Sequence, residues 1–140
     1  MKDCLFCLIR KDWVVKTPEE EVRQALLHKM VEELQYPSSL IAVEKSLSHL
    51  EGKKRPQRRI DILCYAKAPD SSLFPLMLVE CKKEVFSQKA FRQALGYNFY
   101  IGASFVALAS DRFFQAVQTD GDKVFEKCPS YPELLSLIIK

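Results

Sequence analysis

The sequence predicts an α/β domain in which helices flank a central mixed sheet in three layers, with the element order αβββαβ. Two observations support this order. A helix-start signal precedes apolar residues at helical spacing, and three strand-like runs then precede a second helical segment and another apolar run. The 140 residues are 48% hydrophobic and contain no repeat or linker, so we expect a single domain, residues 1–140.

The first helix has three start signals. Thr17 is the expected N-cap, Pro18 occupies the first helical position, and Glu20 completes a capping box. Apolar residues then recur every four positions: Val22, Leu26, Met30 and Leu34. The helix should end near Tyr36 and Pro37, because a proline disfavours helix in the residue before it.

The remaining elements follow from apolar runs and turn residues. Strands are predicted at 40–47, 59–65 and 76–82, and a second helix at 87–100. A strand at 105–110, a hairpin turn through Asp120 and Gly121, and a short helix after Pro132 complete the chain.

The cysteine content and the apolar runs indicate a soluble, cytoplasmic protein. The five cysteines are an odd number, and Cys64 and Cys81 lie within strand-like runs, where reduced thiols pack as small hydrophobic groups. The first apolar run, residues 4–9, is too short for a signal peptide or a membrane span. Cys4 and Cys7 have the spacing of half a zinc site, but no second pair follows. The net charge of +3 permits contact with a polyanion without requiring it.

Acidic residues interrupt two apolar strands. Strand alternation places Glu80 and Lys82 on one face, and Asp61 lies within the preceding run. A hairpin centred between residues 70 and 71 would place Asp61 opposite Glu80, with Cβ atoms about 4.5–5.5 Å apart. A hairpin centred near residues 52 and 53 would place Glu44 opposite Asp61. Oxygen ligands favour Mg²⁺, or Mn²⁺ as a substitute, so Asp61, Glu80 and Glu44 are predicted metal ligands, while Lys82 would orient or activate water. The alternative is a set of surface ion pairs at strand ends.

Two residues of the first helix extend this hypothesis. Glu20 lies at the margin of the apolar face and is a candidate catalytic acid, although the capping box alone would explain it. Whether Glu20 or Glu44 is the third acid stays open. Arg23 lies within the apolar face, where it could pair with a buried carboxylate, hold a phosphate, or extend along the sheet to solvent.

Polar and basic residues indicate nucleic-acid contacts. Lys89, Gln93 and Tyr97 repeat every four residues along the second helix, beside a packing face predicted to contain Phe91, Ala94, Leu95 and Asn98. A basic segment precedes the strand that carries Asp61, and its predicted phosphate contacts are Lys53, Lys54, Arg55, Arg58 and Arg59. An ordinary solvated surface is the alternative for both groups.

Several motifs together resemble the N-terminal domain family of type I restriction enzyme R subunits. They are IRKDWVV at 9–15, TPEEEVRQ at 17–24, RIDI at 59–62, LVECK at 78–82 and QALGYN at 93–98. The resemblance covers roughly residues 8–125 and implies a restriction-endonuclease-like PD-(D/E)XK core. In that core Asp61 and Glu80 bind metal, Lys82 assists hydrolysis, Glu20 is the helical acid and Gln93 follows the core motif. The motor region of such subunits is absent, so we expect a stand-alone domain.

These patterns predict a Mg²⁺-dependent nuclease that hydrolyses DNA phosphodiester bonds in restriction, repair or defence. The alternative is a non-catalytic nucleic-acid-binding or assembly module that retains the fold. DNA is the expected partner, with a homodimer or a partner protein also possible, and no membrane contact is expected. The substrate's form, its sequence preference and endonucleolytic or exonucleolytic action stay open.

Overall fold

The computed structural model describes residues 3–46, 59–83 and 87–138. Its elements, in chain order, are β1 (Cys4–Cys7), β2 (Asp12–Val15), α1 (Pro18–Glu32), a 3₁₀ turn (Ser38–Leu40), β3 (Ile41–Ser46), β4 (Arg59–Lys67), β5 (Leu73–Cys81), α2 (Gln88–Ile101), β6 (Phe105–Ala109), β7 (Phe114–Gln118), β8 (Val124–Phe125) and α3 (Tyr131–Ile138).

A six-stranded mixed sheet forms the centre of the fold. Its strand order is β3-β4-β5-β6-β7-β8, and only β5 and β6 run parallel among the described strands. The helix α2 makes the crossover that a parallel pair requires. The predicted mixed sheet with helices is therefore confirmed. Sequence reasoning missed the separate antiparallel hairpin of β1 and β2.

The helices cover opposite faces of the sheet. On one face, Leu27 of α1 and Leu134 of α3 pack in a cluster with residues of the central strands, including Val79. On the other face, Phe91 of α2 packs in a second cluster with Leu78 and its neighbours. Burial of these apolar surfaces is the main driving force for the layered arrangement.

The predicted strand registers are confirmed around the acidic residues. Ile62 pairs with Val79 across β4 and β5, as the hairpin centred between residues 70 and 71 requires, until a bulge between Cys64 and Tyr65 shifts the register. Val43 pairs with Ile62 across β3 and β4, as predicted for the other hairpin. Leu47, the last residue of the predicted first strand, lies outside the described residues.

The first helix ends earlier than predicted, at Glu32 rather than near Tyr36. Gln35 has a φ of 66°, which turns the chain so that the Tyr36 N–H bonds to the Met30 carbonyl oxygen at 3.0 Å. Tyr36 is only 2% exposed, and its hydroxyl donates to the Pro129 carbonyl oxygen at 2.8 Å. Burial of this tyrosine therefore overrides continuation of the helix.

The second helix packs through a slightly different face than predicted. Phe91, Ala94, Tyr97 and Asn98 are its buried residues, whereas Leu95 is exposed. The prediction that Leu95 packs inward was wrong, because Leu95 is turned about 90° from the centre of the buried face and Tyr97 lies closer to it. Gly102 then ends the helix in a left-handed conformation with a φ of 76°, which glycine adopts readily.

Within the described residues no helix is long and apolar enough to cross a membrane. Cys64 and Cys81 are buried in β4 and β5, as predicted for thiols that pack as small hydrophobic groups.

Candidate functional site

A single guanidinium connects α1 to β3 and β4, two of the strands that carry acidic residues. Arg23 is 5% exposed, and its Nε and Nη2 donate to the two carboxylate oxygens of Glu20 at 2.9 Å each. Nη2 also donates to Glu44 Oε1 at 2.7 Å. Nη1 donates to the Asp61 carbonyl oxygen at 3.3 Å and lies 3.7 Å from Asp61 Oδ1. Of the alternatives for Arg23, pairing with buried carboxylates is the one observed, and it brings three of the predicted acids together.

Glu20 is held by more than Arg23. Its carboxylate accepts hydrogen bonds from Arg10 Nη2 at 2.8 Å and from Gln24 Nε2 at 2.9 Å. Burial raises the pKa of Glu20, but the hydrogen bonds from Arg23, Gln24 and Arg10 outweigh burial and lower it to about 2. Glu20 is therefore a carboxylate at neutral pH.

The predicted capping box forms only in part. Thr17 Oγ1 accepts from the Glu20 N–H at 3.0 Å, so the N-cap is confirmed. The Glu20 carboxylate, however, contacts Arg23, Gln24 and Arg10. Charge-assisted contacts to arginine are stronger than a bond to a neutral backbone N–H, which explains why the side chain takes this direction.

The partners of Arg23 also keep it charged. Burial disfavours the charged guanidinium, but hydrogen bonds and attraction from Glu20 and Glu44 raise the pKa of Arg23 above its usual value. A buried cation with two close carboxylates satisfies the requirement that buried charges be paired.

Glu44 lies at an irregular point of β3. It falls between the paired residues Val43 and Lys45, and its φ of 56° is uncommon for a residue other than glycine. The side chain is 32% exposed and contacts Arg23. Glu44 therefore lies near Asp61 as predicted, with Oε1 engaged by Arg23, and its role as a metal ligand stays a prediction.

The Asp61 side chain is hydrogen-bonded to the backbone at the end of β5. Its Oδ2 accepts from the Cys81 N–H at 2.7 Å, and the neighbouring pair of Ile62 and Val79 fixes the register there. Ile60 and Ile62, which regular alternation would put on one face, belong to different core clusters. The strand is thus irregular at Asp61, and a backbone irregularity of this kind often redirects a side chain at a functional site.

Glu80 and Lys82 occupy the same end of β5. Glu80 is 1% exposed, beside Leu108 of the parallel strand β6. Lys82 follows the last strand residue, and its N–H donates to the Ala109 carbonyl oxygen at 2.8 Å, which fixes the backbone while the side chain stays half-buried. The structure therefore brings Asp61, Glu80 and Lys82 to one region.

Other predicted site residues are divided between exposed and buried positions. Lys89 and Gln93 are exposed on α2, whereas Tyr97 is 8% exposed and belongs to the core cluster beneath that helix. Arg59 is exposed at the start of β4. The other predicted phosphate contacts, Lys53, Lys54, Arg55 and Arg58, lie outside the described residues.

Sequence reasoning missed the part of the network that the β1–β2 hairpin supplies. The Leu8 N–H donates to Gln24 Oε1 at 3.2 Å, and Arg10 Nε donates to Cys7 Sγ at 3.2 Å while Arg10 also holds Glu20. Burial raises the pKa of the Cys7 thiol, but hydrogen bonds from Arg10 outweigh it and lower the pKa. The motif at 9–15 marked this segment, but no spacing rule connects Arg10 to Glu20 across the intervening strand.

Among the described residues no group of three histidine, cysteine, aspartate or glutamate side chains is arranged to hold a metal ion. The site consists instead of a buried charge network around Arg23, with Asp61 held by the Cys81 N–H at the end of β5, the strand that carries Glu80.

Comparison with known protein families matches residues 18–132 to the type I restriction enzyme R protein N terminus. Comparison with curated proteins and with solved structures gives no match. The matched range contains α1, the whole acidic site and α2. Since it covers most of the chain, this protein belongs to the family of type I restriction enzyme R protein N-terminal domains.

Proposed function

We propose that this domain is a Mg²⁺-dependent nuclease of the PD-(D/E)XK type that hydrolyses DNA phosphodiester bonds within a restriction system. The observation that carries the proposal is the 2.7 Å hydrogen bond from the Cys81 N–H to Asp61 Oδ2. This bond holds Asp61 beside the strand end where Glu80 and Lys82 flank Cys81 in the LVECK motif. Two carboxylates can hold a divalent metal ion and a lysine can orient water, a combination suited to metal-assisted phosphodiester hydrolysis.

The donor set fits Mg²⁺. This ion is commonly bound by one or two carboxylates together with water and substrate phosphate, so a cluster of three protein ligands is not required. Asp61 Oδ2 is engaged by a backbone N–H, while Oδ1 lies beyond hydrogen-bond distance from Arg23 at 3.7 Å. Asp61 Oδ1 and the Glu80 carboxylate would hold the ion. When bound, it would neutralise the attacked phosphate and lower the pKa of the attacking water.

The other residues have distinct proposed roles. Lys82 orients or activates the attacking water. Arg23 is a positioning residue, because it hydrogen-bonds Glu20 and Glu44 and contacts the Asp61 backbone. Gln93 and Lys89, exposed on α2, would contact the DNA backbone together with Arg59 and the basic segment before it.

A cleavage assay tests this function. The purified protein would be incubated with Mg²⁺ or Mn²⁺ and with single-stranded, duplex, nicked and branched DNA. Asp61→Ala, Glu80→Ala and Lys82→Ala should each abolish cleavage, because ligation and water activation do not substitute for one another. Lys67→Ala, at an exposed position at the opposite end of β4, is the matched control and should cleave normally. Cleavage that survives all three site substitutions would disprove the assignment.

Thermal unfolding tests the metal site without knowledge of the substrate. A metal that binds only the native state stabilises it by about 2.7 kcal/mol at a hundredfold excess over Kd. Mn²⁺ should therefore raise the Tm of the wild type but not that of Asp61→Asn. Identical melting curves with and without Mn²⁺ for both proteins would contradict the metal site.

The second candidate function is a non-catalytic nucleic-acid-binding or assembly module. The observation that favours it is the engagement of Glu20 and Glu44 by Arg23, which gives these acids a structural role. This candidate predicts that the wild type binds DNA, or a second subunit, without cleaving any of the four substrates. Asp61→Ala would then leave that binding unchanged, and sedimentation would report any assembly.

A further inference from the structure

A cleft of about 650 Å³ lies on the α1 side of the sheet and is not part of the acidic network. Its volume falls within the roughly 300–1,000 Å³ typical of small-molecule sites. One wall is α1, through Val22 and Leu26, and the other is formed by Phe113 of the β6–β7 connection and Phe114 at the start of β7. Phe113 is 49% exposed, so a flat aromatic surface is available to a ligand.

Cations from four separate segments converge on this cleft. Lys29 comes from the last turn of α1, Lys83 follows β5, Arg112 belongs to the β6–β7 connection, and Lys127 follows β8. Arg112 has one ion pair, with Asp111 at 3.9 Å, and both side chains are largely exposed, so the pair is weak. In the part of the chain that the structure describes, Lys29, Lys83 and Lys127 have no acidic partner within 4.0 Å. Converging cations of this kind favour an anionic ligand.

The cleft also contains carboxylates, so the favoured ligand is not simply an anion. Glu21, Asp111 and Glu126 line it, and Glu21 already pairs with Lys16 at 3.7 Å. A ligand suited to this lining carries a negative group for the cations, a flat face for the aromatic wall, and N–H or O–H donors for the carboxylates. A nucleotide combines all three.

The position of the cleft connects it to the proposed cleavage site. Ala109 lines the cleft, and its carbonyl oxygen accepts the Lys82 N–H at 2.8 Å. Lys83, the next residue, also lines it. A strand that passes the end of β5 can therefore reach the cleft within a short distance.

We propose that this cleft binds one unstacked nucleotide, with its base against Phe113 and its phosphate between Lys83 and Arg112. The nucleotide is either a unit of single-stranded DNA or a free nucleotide. Only one part of this inference rests on the proposed function, namely that the nucleotide comes from a DNA strand. Nucleotide binding itself requires no cleavage.

Binding measured in EDTA separates the inference from catalysis. The probes are deoxyadenosine monophosphate, a short fluorescent oligothymidylate and a blunt duplex of equal length. The full chain should bind the single strand more tightly than the duplex. Phe113→Ala should weaken single-strand binding at least about fivefold, the lower end for loss of base–aromatic stacking. Arg112→Ala should reduce the log–log salt slope by about 0.7, the value for one phosphate contact on a single strand.

Matched controls come from exposed positions that do not line the cleft. Phe99 is 85% exposed on α2, so Phe99→Ala removes an exposed phenylalanine, and Lys67→Ala removes an exposed cation at the end of β4. Both should bind like the wild type. All four substitutions change exposed side chains, and unchanged melting temperatures would show that each variant folds.

The outcomes distinguish the nucleotide source and the two proposals. Phe113-dependent binding of the mononucleotide supports a free nucleotide as ligand, whereas Phe113-dependent binding of only the oligonucleotide supports the strand. No binding of either probe, or equal weakening by Phe113→Ala and Phe99→Ala, overturns the cleft assignment even if the protein cleaves DNA. If binding depends on Phe113 but no cleavage occurs under any condition, the proposed nucleotide site stands and the proposed nuclease activity is wrong.

Discussion

The helices α1 and α2 cover opposite faces of one sheet and have similar lengths, 15 and 14 residues. They nevertheless bury different kinds of side chain. The buried side of α1 includes Glu20, Arg23 and Gln24, whereas α2 buries mainly apolar and aromatic groups with Asn98 as its polar exception. A buried ion pair is often no more stabilising than apolar residues of the same volume. Packing alone therefore does not account for the charged residues that α1 buries.

The largest expected effect comes from removing the central cation of α1. Arg23→Ala would leave Glu20 buried with less compensation and would release Glu44, so it should destabilise the fold by about 3–5 kcal/mol. Arg92→Ala removes an exposed arginine from α2 and should change stability by less than about 0.5 kcal/mol. Urea unfolding of both variants measures the difference. Equal midpoints would show that the network around Arg23 does not stabilise the fold.

At acidic pH, the pH dependence of the free energy of unfolding should depend on Glu20. Its folded pKa of about 2 lies below its usual value of 4.5, so its contribution is complete above about pH 4.5 and is lost as pH falls towards 2. Glu20→Gln removes the titrating group and should flatten stability over that window. Urea midpoints measured across the window for both proteins test this, and parallel curves would contradict the low pKa.

The same two helices show what the sequence could predict. Apolar spacing gave the position of both helices, and cap residues gave the start of α1. The hairpin centre between residues 70 and 71 gave the register of β4 and β5 near Asp61, because these signals are local or periodic. The contact of Arg10 with Glu20 was not predictable, since it depends on how a separate hairpin packs against α1. The partners of Arg23 were likewise left open, because spacing places a charge on a face but does not identify what lies opposite.

A smaller effect should follow from the one buried polar residue of α2. Asn98 Nδ2 donates to the Ala103 carbonyl oxygen at 3.0 Å, and its Oδ1 accepts the Ala103 N–H at 2.8 Å. Asn98→Ala removes the acceptor of the buried Ala103 N–H, whereas the Ala103 carbonyl oxygen still accepts from Thr119 Oγ1 at 3.0 Å, so the fold should be destabilised by about 1–3 kcal/mol. Gln93→Ala, at an exposed position on the same helix, is the control for urea unfolding. A loss larger than that of Arg23→Ala would reverse the ranking of the two helices.

The smallest expected effects are at the N-caps, where the two helices are alike. Thr17 Oγ1 accepts from the Glu20 N–H at 3.0 Å, and Ser87 Oγ accepts from the Ala90 N–H at 3.1 Å. Thr17→Ala and Ser87→Ala should each destabilise the fold by about 1 kcal/mol, because each removes one side-chain acceptor from a helix start. Thr17→Ser keeps the hydroxyl and should stay near wild type.

The N-cap of α1 nevertheless differs in its partner. Thr17 bonds to the backbone N–H of Glu20, whose carboxylate also contacts Arg23 and Arg10. If the cap helps to position that carboxylate, Thr17→Ala will cost more than Ser87→Ala, and the excess will disappear in the Glu20→Gln background. A double-mutant cycle of Thr17→Ala and Glu20→Gln, measured by urea unfolding, gives the coupling free energy between the two residues. For residues in one network this coupling is about 0.5–3 kcal/mol. Zero coupling, together with equal losses of stability in Thr17→Ala and Ser87→Ala, would show that α1 and α2 differ in their buried faces but not in their N-caps.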